Sequence, residues 1–399
     1  MSAAPVEAIL SQADALVRAG RLEEARACTA AVLQREPRNP RAHFVNGVCL
    51  AGADRRDEAI RSYRKAVELR PQYFEALANL GNLYQRGARF DEAAACYRRA
   101  LALRADEPLV WNALGMVLAK LARPADSIDA YRRATQLKPD FAEAWIGMGE
   151  SLYKSGRDAD AVAALDRALA LDPDNRPLAF QRAAIAGDAV EQPPPEFVAN
   201  VFDGFAGAFD RKLVDGLGYQ APAEAARVLS PWLETRGGLR VVDLGCGTGL
   251  SGAIVRGKAA CLVGVDLSAG MLAKAGERGI YDRLEQADIV SFLAGCAPAS
   301  FDLALALDVF IYVGNVAPGF AVLAPAMAPS GRFVFTMERL DATGDVPPRL
   351  HREGRYAHAR GYVERVAAEA GLRIAEVEPI VIRTEAGEPV QGDLYVVAT

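Results

Sequence analysis

The sequence predicts two folds in series. An all-α superhelix of repeated helix pairs occupies residues 1–190, and a doubly wound α/β domain occupies 237–399, joined by a proline linker and short helices over 191–236. Three observations predict this. The first half of the chain lies on itself when shifted by 34 residues. The run 241–249 reads as a buried strand that enters a glycine-rich turn and opens a helix. Apolar runs ending in an acid then recur at strand-plus-helix intervals, the pattern of a parallel sheet with helices on both faces.

In the first half, Ala25, Ala59, Ala93 and Ala161 share one phase, with Ser127 standing in for alanine in the remaining repeat. Gly47, Gly81, Gly115 and Gly149 share a second, Tyr63, Tyr97 and Tyr131 a third, and Ala66, Ala100, Ala134 and Ala168 a fourth. Pro37, Pro71, Pro139 and Pro173 close the second helices, Ala105 breaks that column, and Trp111 and Trp145 hold an early aromatic place. Small residues let two helices approach, the aromatic fills the space between them, and proline ends the second helix. Five repeats are expected over 6–173, the first being weakest because Ala13 and Thr29 replace the usual glycine and aromatic. A helix at about 174–187 is expected to cap the stack, since a terminal repeat needs a polar outer face. The spacing resembles the tetratricopeptide repeat, W-x2-L-G-x2-Y followed by Ala, aromatic, Ala and Pro. That resemblance implies protein binding or self-association. Asn79, Asn82, Gln85, Asn112, Lys120, Glu143 and Lys154 would line the concave face, either as a ladder for a peptide backbone or as plain polar surface. The two-cation clamp for a terminal carboxylate is not visible.

Residues 191–196 read as a stiff polyproline spacer. Phe202, Phe205 and Phe209 follow at i, i+3, i+7, a spacing that also suits a helix packed on the sheet edge. Asp243, Gly245, Cys246, Gly247 and Gly249 then form the turn, where alternate glycines let the backbone approach a ligand. The spacing is not that of a dinucleotide fingerprint. Asp266 ends a second apolar run 23 residues after Asp243, Asp288 ends a third, and Asp308 ends the fourth strand, 301–308. A carboxylate at the second strand tip can accept from both ribose hydroxyls; an isolated acid at a strand end is often only a helix cap. Ser268 is a candidate N-cap for the helix through Arg278. Later strands are expected at 332–337, 373–382 and 393–398.

The string Asp-x-Gly-x-Gly-x-Gly resembles motif I of the class I methyltransferases that use S-adenosylmethionine. The chain as a whole resembles a group of predicted methyltransferases carrying tetratricopeptide repeats. The resemblance implies a Rossmann-like, seven-stranded sheet with the last strand antiparallel, and S-adenosylmethionine as cofactor with S-adenosylhomocysteine as product. It places the cofactor among Asp243, Gly245, Cys246, Gly247, Gly249, Asp266, Leu267, Met271, Asp288, Ile289 and Asp308, with Phe202 and Phe209 folded over it. Phe205, Phe310, Tyr312, His351 and Arg355 become candidates for the acceptor pocket, Arg355 as an anion anchor. The segment 350–358 would form a lid, with His358 either a general base or a plain helix-start residue. Asp308, Glu338 and Tyr356 are the other candidate catalytic groups.

Composition narrows the partners. Residues 1–190 hold 27 basic and 25 acidic side chains and residues 191–399 hold 19 and 26, so the second half is acidic and disfavours a polyanion. Six scattered cysteines without C-x-x-C pairs argue for reduced thiols in the cytoplasm and against a metal site. No stretch is apolar enough for a membrane span or a secretory signal. The expected function is methylation of a small polar molecule at O, N or S. The alternatives are a protein or carrier-bound substrate recruited by the repeats, and a non-catalytic cofactor-binding scaffold.

Overall fold

The computed structural model describes residues 5–204, 206–385 and 387–399, and the chain divides into two compact units, 1–173 and 174–399. Phe205, expected in the acceptor pocket, lies outside the described residues.

The first unit is five antiparallel helix pairs: α1 (Val6–Arg18) with α2 (Leu22–Arg35), α3 (Pro40–Gly52) with α4 (Arg56–Leu69), α5 (Phe74–Arg86) with α6 (Phe90–Leu103), α7 (Pro108–Lys120) with α8 (Pro124–Leu137), and α9 (Ala142–Lys154) with α10 (Asp158–Leu171). The repeat columns have one physical cause each. Ala25, Ala59, Ala93 and Ala161 are fully buried, as are Ala66, Ala100, Ala134 and Ala168. A Cβ on Gly47, Gly81 or Gly115 would stand 2.7, 2.6 or 2.8 Å from the ring of Tyr63, Tyr97 or Tyr131, so glycine and tyrosine specify each other across the pair. A further column escapes the apolar pattern. Arg21, Arg55, Arg89, Arg123 and Arg157 each start a second helix and pair with an acid three residues on. Asn82 and Gln85 face the Tyr97 hydroxyl at 2.7 Å, so part of the expected polar ladder is committed inside the repeats.

The second unit begins with α11 (Arg176–Ala186), the helix expected to cap the repeats. Its Phe180 packs edge-on against Phe197 and tilted against Tyr356, so it forms part of the second core. The residues read as a spacer are likewise held here. The Val190 carbonyl accepts from the Tyr356 hydroxyl at 2.8 Å, and the Glu191 carbonyl accepts from the Asn315 N–H at 3.0 Å. The compact units therefore divide at Pro173, ahead of the proline run.

After α12 (Pro195–Asp203) and α13 (Ala221–Glu234) comes the sheet: β1 (Leu239–Leu244), β2 (Ala259–Asp266), β3 (Arg283–Gln286), β4 (Phe301–Ala306) and β5 (Met327–Glu338). A short hairpin, β6 (Arg349–Leu350) and β7 (Tyr356–Ala357), precedes β8 (Arg373–Glu385) and β9 (Glu388–Ala398). The order is β3-β2-β1-β4-β5-β9-β8, with β1 to β5 parallel and β9 antiparallel to both neighbours. This is the seven-stranded sheet that the resemblance to class I methyltransferases implies. The intervening helices are α14 (Leu250–Ala253), α15 (Ala269–Glu277), α16 (Ile289–Ala294), α17 (Ala317–Ala326) and α18 (Arg360–Glu369). Central strands are apolar on both faces because both are covered. Phe310, Phe320, Phe333, Phe335 and Tyr395 interlock on one side, while Ala225 and Leu229 of α13 meet Leu262, Leu303 and Leu305 on the other. Strand order reverses between β1 and β4, and there the carboxyl ends leave a crevice.

Candidate active site

The β1–α14 turn forms one end of this crevice. Gly245, Gly247 and Gly249 all have left-handed φ, at 65°, 54° and 92°. At Gly245 a Cβ would also lie 2.6 Å from the Val309 side chain, so neither the conformation nor the space admits another residue. From the tip of β2 the Asp266 carboxylate accepts the Gly247 N–H at 2.9 Å and the Ser268 N–H at 2.8 Å, which ties the turn to the next strand. Burial pushes the Asp266 carboxyl upward and these backbone N–H groups pull it back. Ser268 caps α15, accepting the Met271 N–H at 3.0 Å. Asp288 caps α16 through the Ser291 N–H at 2.9 Å, yet it also faces the crevice, so the cap and ligand readings of this acid are compatible.

Gly245, Gly247, Asp266 and Asp288 line one cavity of about 780 Å³. It brings together Gly245, Cys246, Gly247, Asp266, Leu267, Asp288, Ile289 and Asp308 with Phe202, Phe209, Phe310, Tyr312 and Arg355. Phe202 sits edge-on to Tyr312 at 5.1 Å and to Phe209 at 6.0 Å, so α12 and the segment after it roof the crevice. The roof is fastened by two acids, each following an aromatic of this segment. Asp203 accepts from the Ser268 hydroxyl and from the Gly270 N–H at 3.1 Å. Asp210 accepts from the Thr248 hydroxyl and from Arg278. The acid after each aromatic in 202–210 was the available signal.

Several expected site residues lie elsewhere. Asp243 is fully buried beneath the turn, accepting from the Tyr281 hydroxyl at 2.6 Å, and burial pushes its carboxyl up to about 7. Met271 is fully buried in the core, and Gly249 serves as the N-cap of α14; neither lines the cavity. Tyr356 is buried with its hydroxyl spent on the Val190 carbonyl, so it faces away from the acceptor space. His358 is 1% exposed and also lies off the cavity. Carbonyls only accept, so its Nε2 carries a proton and donates to Val313 at 3.0 Å and Gly314 at 3.2 Å, leaving Nδ1 unpartnered. Burial lowers this imidazole to about 4, and it is therefore a neutral strut under the loop that carries Phe310 and Tyr312, not an exposed base. His351 stands 3.8 Å from Glu338 and, like Glu338, is not among the residues lining the cavity.

Around Asp308 the structure assembles a charge cluster that no local pattern announces. Asp308 has φ 59°, held by its N–H donating to the Thr336 hydroxyl at 2.7 Å. Arg383 of β8, only 2% exposed, donates to Asp308 at 2.9 Å, Glu338 at 3.0 Å and Glu385 at 2.7 Å. Burial pushes the Asp308 carboxyl upward, opposed by Arg383. Arg355, expected as a free anion anchor, is bonded to Glu385 at 2.5 Å and lies 3.9 Å from Glu338, so its charge is already matched.

With this geometry in view, comparison with known proteins identifies both halves. Residues 242–335 match the methyltransferase domain family, and residues 10–74, 50–117 and 113–176 match tetratricopeptide repeat families. The chain carries tetratricopeptide repeats followed by a class I methyltransferase domain. Among solved structures, a crystal structure of MamA is 24% identical, covering 40% of this chain and 94% of that one at a TM-score of 0.39. A MamA fragment from Desulfovibrio magneticus is 18% identical, covering 43% and 96% at 0.40. YrrB, described as a repeat protein with an unusual peptide-binding site, is 20% identical, covering 42% and 86% at 0.40. These similarities carry no functional weight. No curated protein matches the chain. No helix among the described residues is long and apolar enough to cross a membrane.

Proposed function

We propose that the protein is an S-adenosylmethionine-dependent methyltransferase whose acceptor is a small molecule bound in the cavity of residues 174–399, with the repeats serving protein interaction or self-association. The observation that carries this reading is one cavity lined by two chemically different sets of residues. One set is the glycine turn with the acids of β2 and the β3–α16 junction; the other is Asp308 with Arg355, Arg383 and Glu385. The first set fits the cofactor. The turn leaves no room for a Cβ at Gly245, Asp266 retains lone pairs for ribose hydroxyls, and Asp288 and Ile289 lie together on the cavity, offering an acceptor for an adenine amino group beside an apolar side chain for the ring. When bound, the cofactor supplies an electrophilic methyl group on a sulfonium. The chain's own work is then positioning, which alone contributes much of the acceleration in such displacements. Phe202, Phe209 and Tyr312 exclude water from the roof, and Asp308 at the tip of β4 holds a carboxylate oxygen toward the acceptor space to receive a proton.

Titration calorimetry with S-adenosylmethionine tests the cofactor half. Asp266→Ala is expected to weaken binding by roughly 2–3 kcal/mol, the loss typical of charge-assisted hydrogen bonds. Unchanged affinity would remove Asp266 from the site, and comparable binding of NAD would overturn the cofactor assignment. Screening metabolites for release of S-adenosylhomocysteine tests turnover.

A further inference from the structure

Resting on the methyltransferase reading of the same cavity, we infer that the acceptor is an apolar-bodied amine or alcohol whose N–H or O–H is received by Asp308, and that anionic acceptors are excluded. The walls set the body of the molecule. Val198, Val201, Leu213, Leu217 and Ile311 are among the residues lining the cavity, and most of that lining is apolar. At about 780 Å³ the space is toward the upper end of the roughly 300–1,000 Å³ of ligand pockets, which suits two ligands side by side.

The charge cluster sets the head group. Three carboxylates, Asp308, Glu338 and Glu385, face two guanidiniums, Arg383 and Arg355, leaving one negative charge in excess. Nε, Nη1 and Nη2 of Arg383 each donate to a different one of these acids. Arg176, the third arginine on the cavity, is largely exposed and stands 3.4 Å from Glu196. An incoming anion therefore finds each cavity arginine already beside an acid, and one unmatched carboxylate. What remains open is complementary to a donor. Arg383 occupies Oδ1 of Asp308, while Oδ2 accepts no hydrogen bond from the described residues. An alcohol can donate to Asp308, and an amine can donate and, when protonated, balance the excess charge. A carboxylate or phosphate has no proton to donate and adds to the excess negative charge.

The test is calorimetry of the full chain saturated with S-adenosylhomocysteine, using three probes that share one body: 4-phenylbutylamine, 4-phenylbutan-1-ol and 4-phenylbutyrate. The amine is expected to bind tightest, the alcohol next, and the carboxylate at least about tenfold more weakly than the amine. Asp308→Asn should cost the amine about tenfold and narrow its advantage over the carboxylate. Glu385→Gln removes the excess charge at a more exposed position, so it should narrow the same gap even if the Asp308 variant folds poorly. A carboxylate that binds as well as the amine, an unaltered order in both variants, or no binding by any probe overturns the proposal. Failure of S-adenosylhomocysteine itself to bind, measured first, overturns the underlying methyltransferase reading instead.

Discussion

In residues 5–173 the same few contacts return every 34 residues, whereas in residues 174–399 each contact that builds the cavity occurs once. The repeats have a local, redundant code in which a glycine, a tyrosine and an alanine recur because each helix pair meets its neighbour in the same way. The catalytic unit depends on pairs remote in sequence, such as Arg383 with Asp308, 75 residues apart, and with Glu338, 45 apart. Redundancy spreads stability thinly over many equivalent positions. A unique site concentrates it, so one substitution should have a far larger effect there than in the repeats.

Arg383 is the sharpest place to break that comparison. Arg383→Ala leaves the carboxylates of Asp308, Glu338 and Glu385 without their shared counter-ion, and unpairing a buried ion cluster typically costs about 3–5 kcal/mol. Chemical denaturation at neutral pH should show a loss of that order in the second unit. The variant should recover part of it on acidification, because protonation removes the repulsion. A loss below about 1 kcal/mol would mean that the cluster is hydrated and ordinary.

This contrast also explains what was legible in advance. Five repeats, the glycine turn and the acids at 266, 288 and 308 all follow from patterns within one or two elements, whereas the seven-stranded sheet follows only from the resemblance to the class I methyltransferases. Arg383 carried no such signal, because a lone arginine in a β-rich run reads as surface. His358 misled for the opposite reason. A histidine in a Gly-Arg-Tyr-x-His string beside an expected lid suggests a base, but which carbonyls its ring meets is set by a loop about 45 residues away. The prolines at 193–195 read as a spacer because stiffness is local information, while the bonds from Tyr356 and Asn315 to Val190 and Glu191 are not.

His358 offers the next effect in size. Its pKa is lowered from 6.5 to about 4 by burial, so between those values the unfolded chain binds more protons than the native one and stability falls as pH falls. A shift of that size corresponds to about 3 kcal/mol when fully expressed. The physical reason is that protonation places a hydrogen on Nδ1, which has no acceptor. Asp243, raised to about 7, acts in the opposite sense, losing its contribution as pH rises from about 4 through 7. The measurement is therefore the difference between wild type and His358→Asn across pH 4–7, which should shrink toward acid. A difference independent of pH would show that the ring is already protonated or solvated. The activity profile should lack a histidine limb near the ordinary range of about 6–7.

Smaller and, by the argument above, repeated effects belong to the glycine column. Gly47→Ala, Gly81→Ala and Gly115→Ala each drive a methyl to within 2.6–2.8 Å of a tyrosine ring. Overpacking of this kind costs about 1–3 kcal/mol, partly offset by the roughly 1 kcal/mol that alanine gains over glycine within a helix. A net loss of up to about 2 kcal/mol is expected at each, with the three values agreeing to within a few tenths. Widely different values would show that the repeats are equivalent in sequence but not in packing.

The smallest effect should be a gain. The turn inside each pair needs one residue with left-handed φ, filled by Gly20, Asp54, Ala88, Ala122 and Gly156 at φ 74°, 55°, 55°, 54° and 72°. Glycine meets this need without strain and aspartate tolerates it, but alanine places Cβ against the following carbonyl, at roughly 1–2 kcal/mol. Ala88→Gly and Ala122→Gly remove that strain and give back part of it through the greater freedom of glycine in the unfolded chain. Each should raise stability by about 0.5–1 kcal/mol. Because the two positions are 34 residues apart and share no partner, the double variant should show the sum. Gly156→Ala, the reverse change in the last repeat, should cost a similar amount. If both glycine variants destabilise, local strain is not what these turns store, and the alanines are held by contacts that the repeat pattern does not explain.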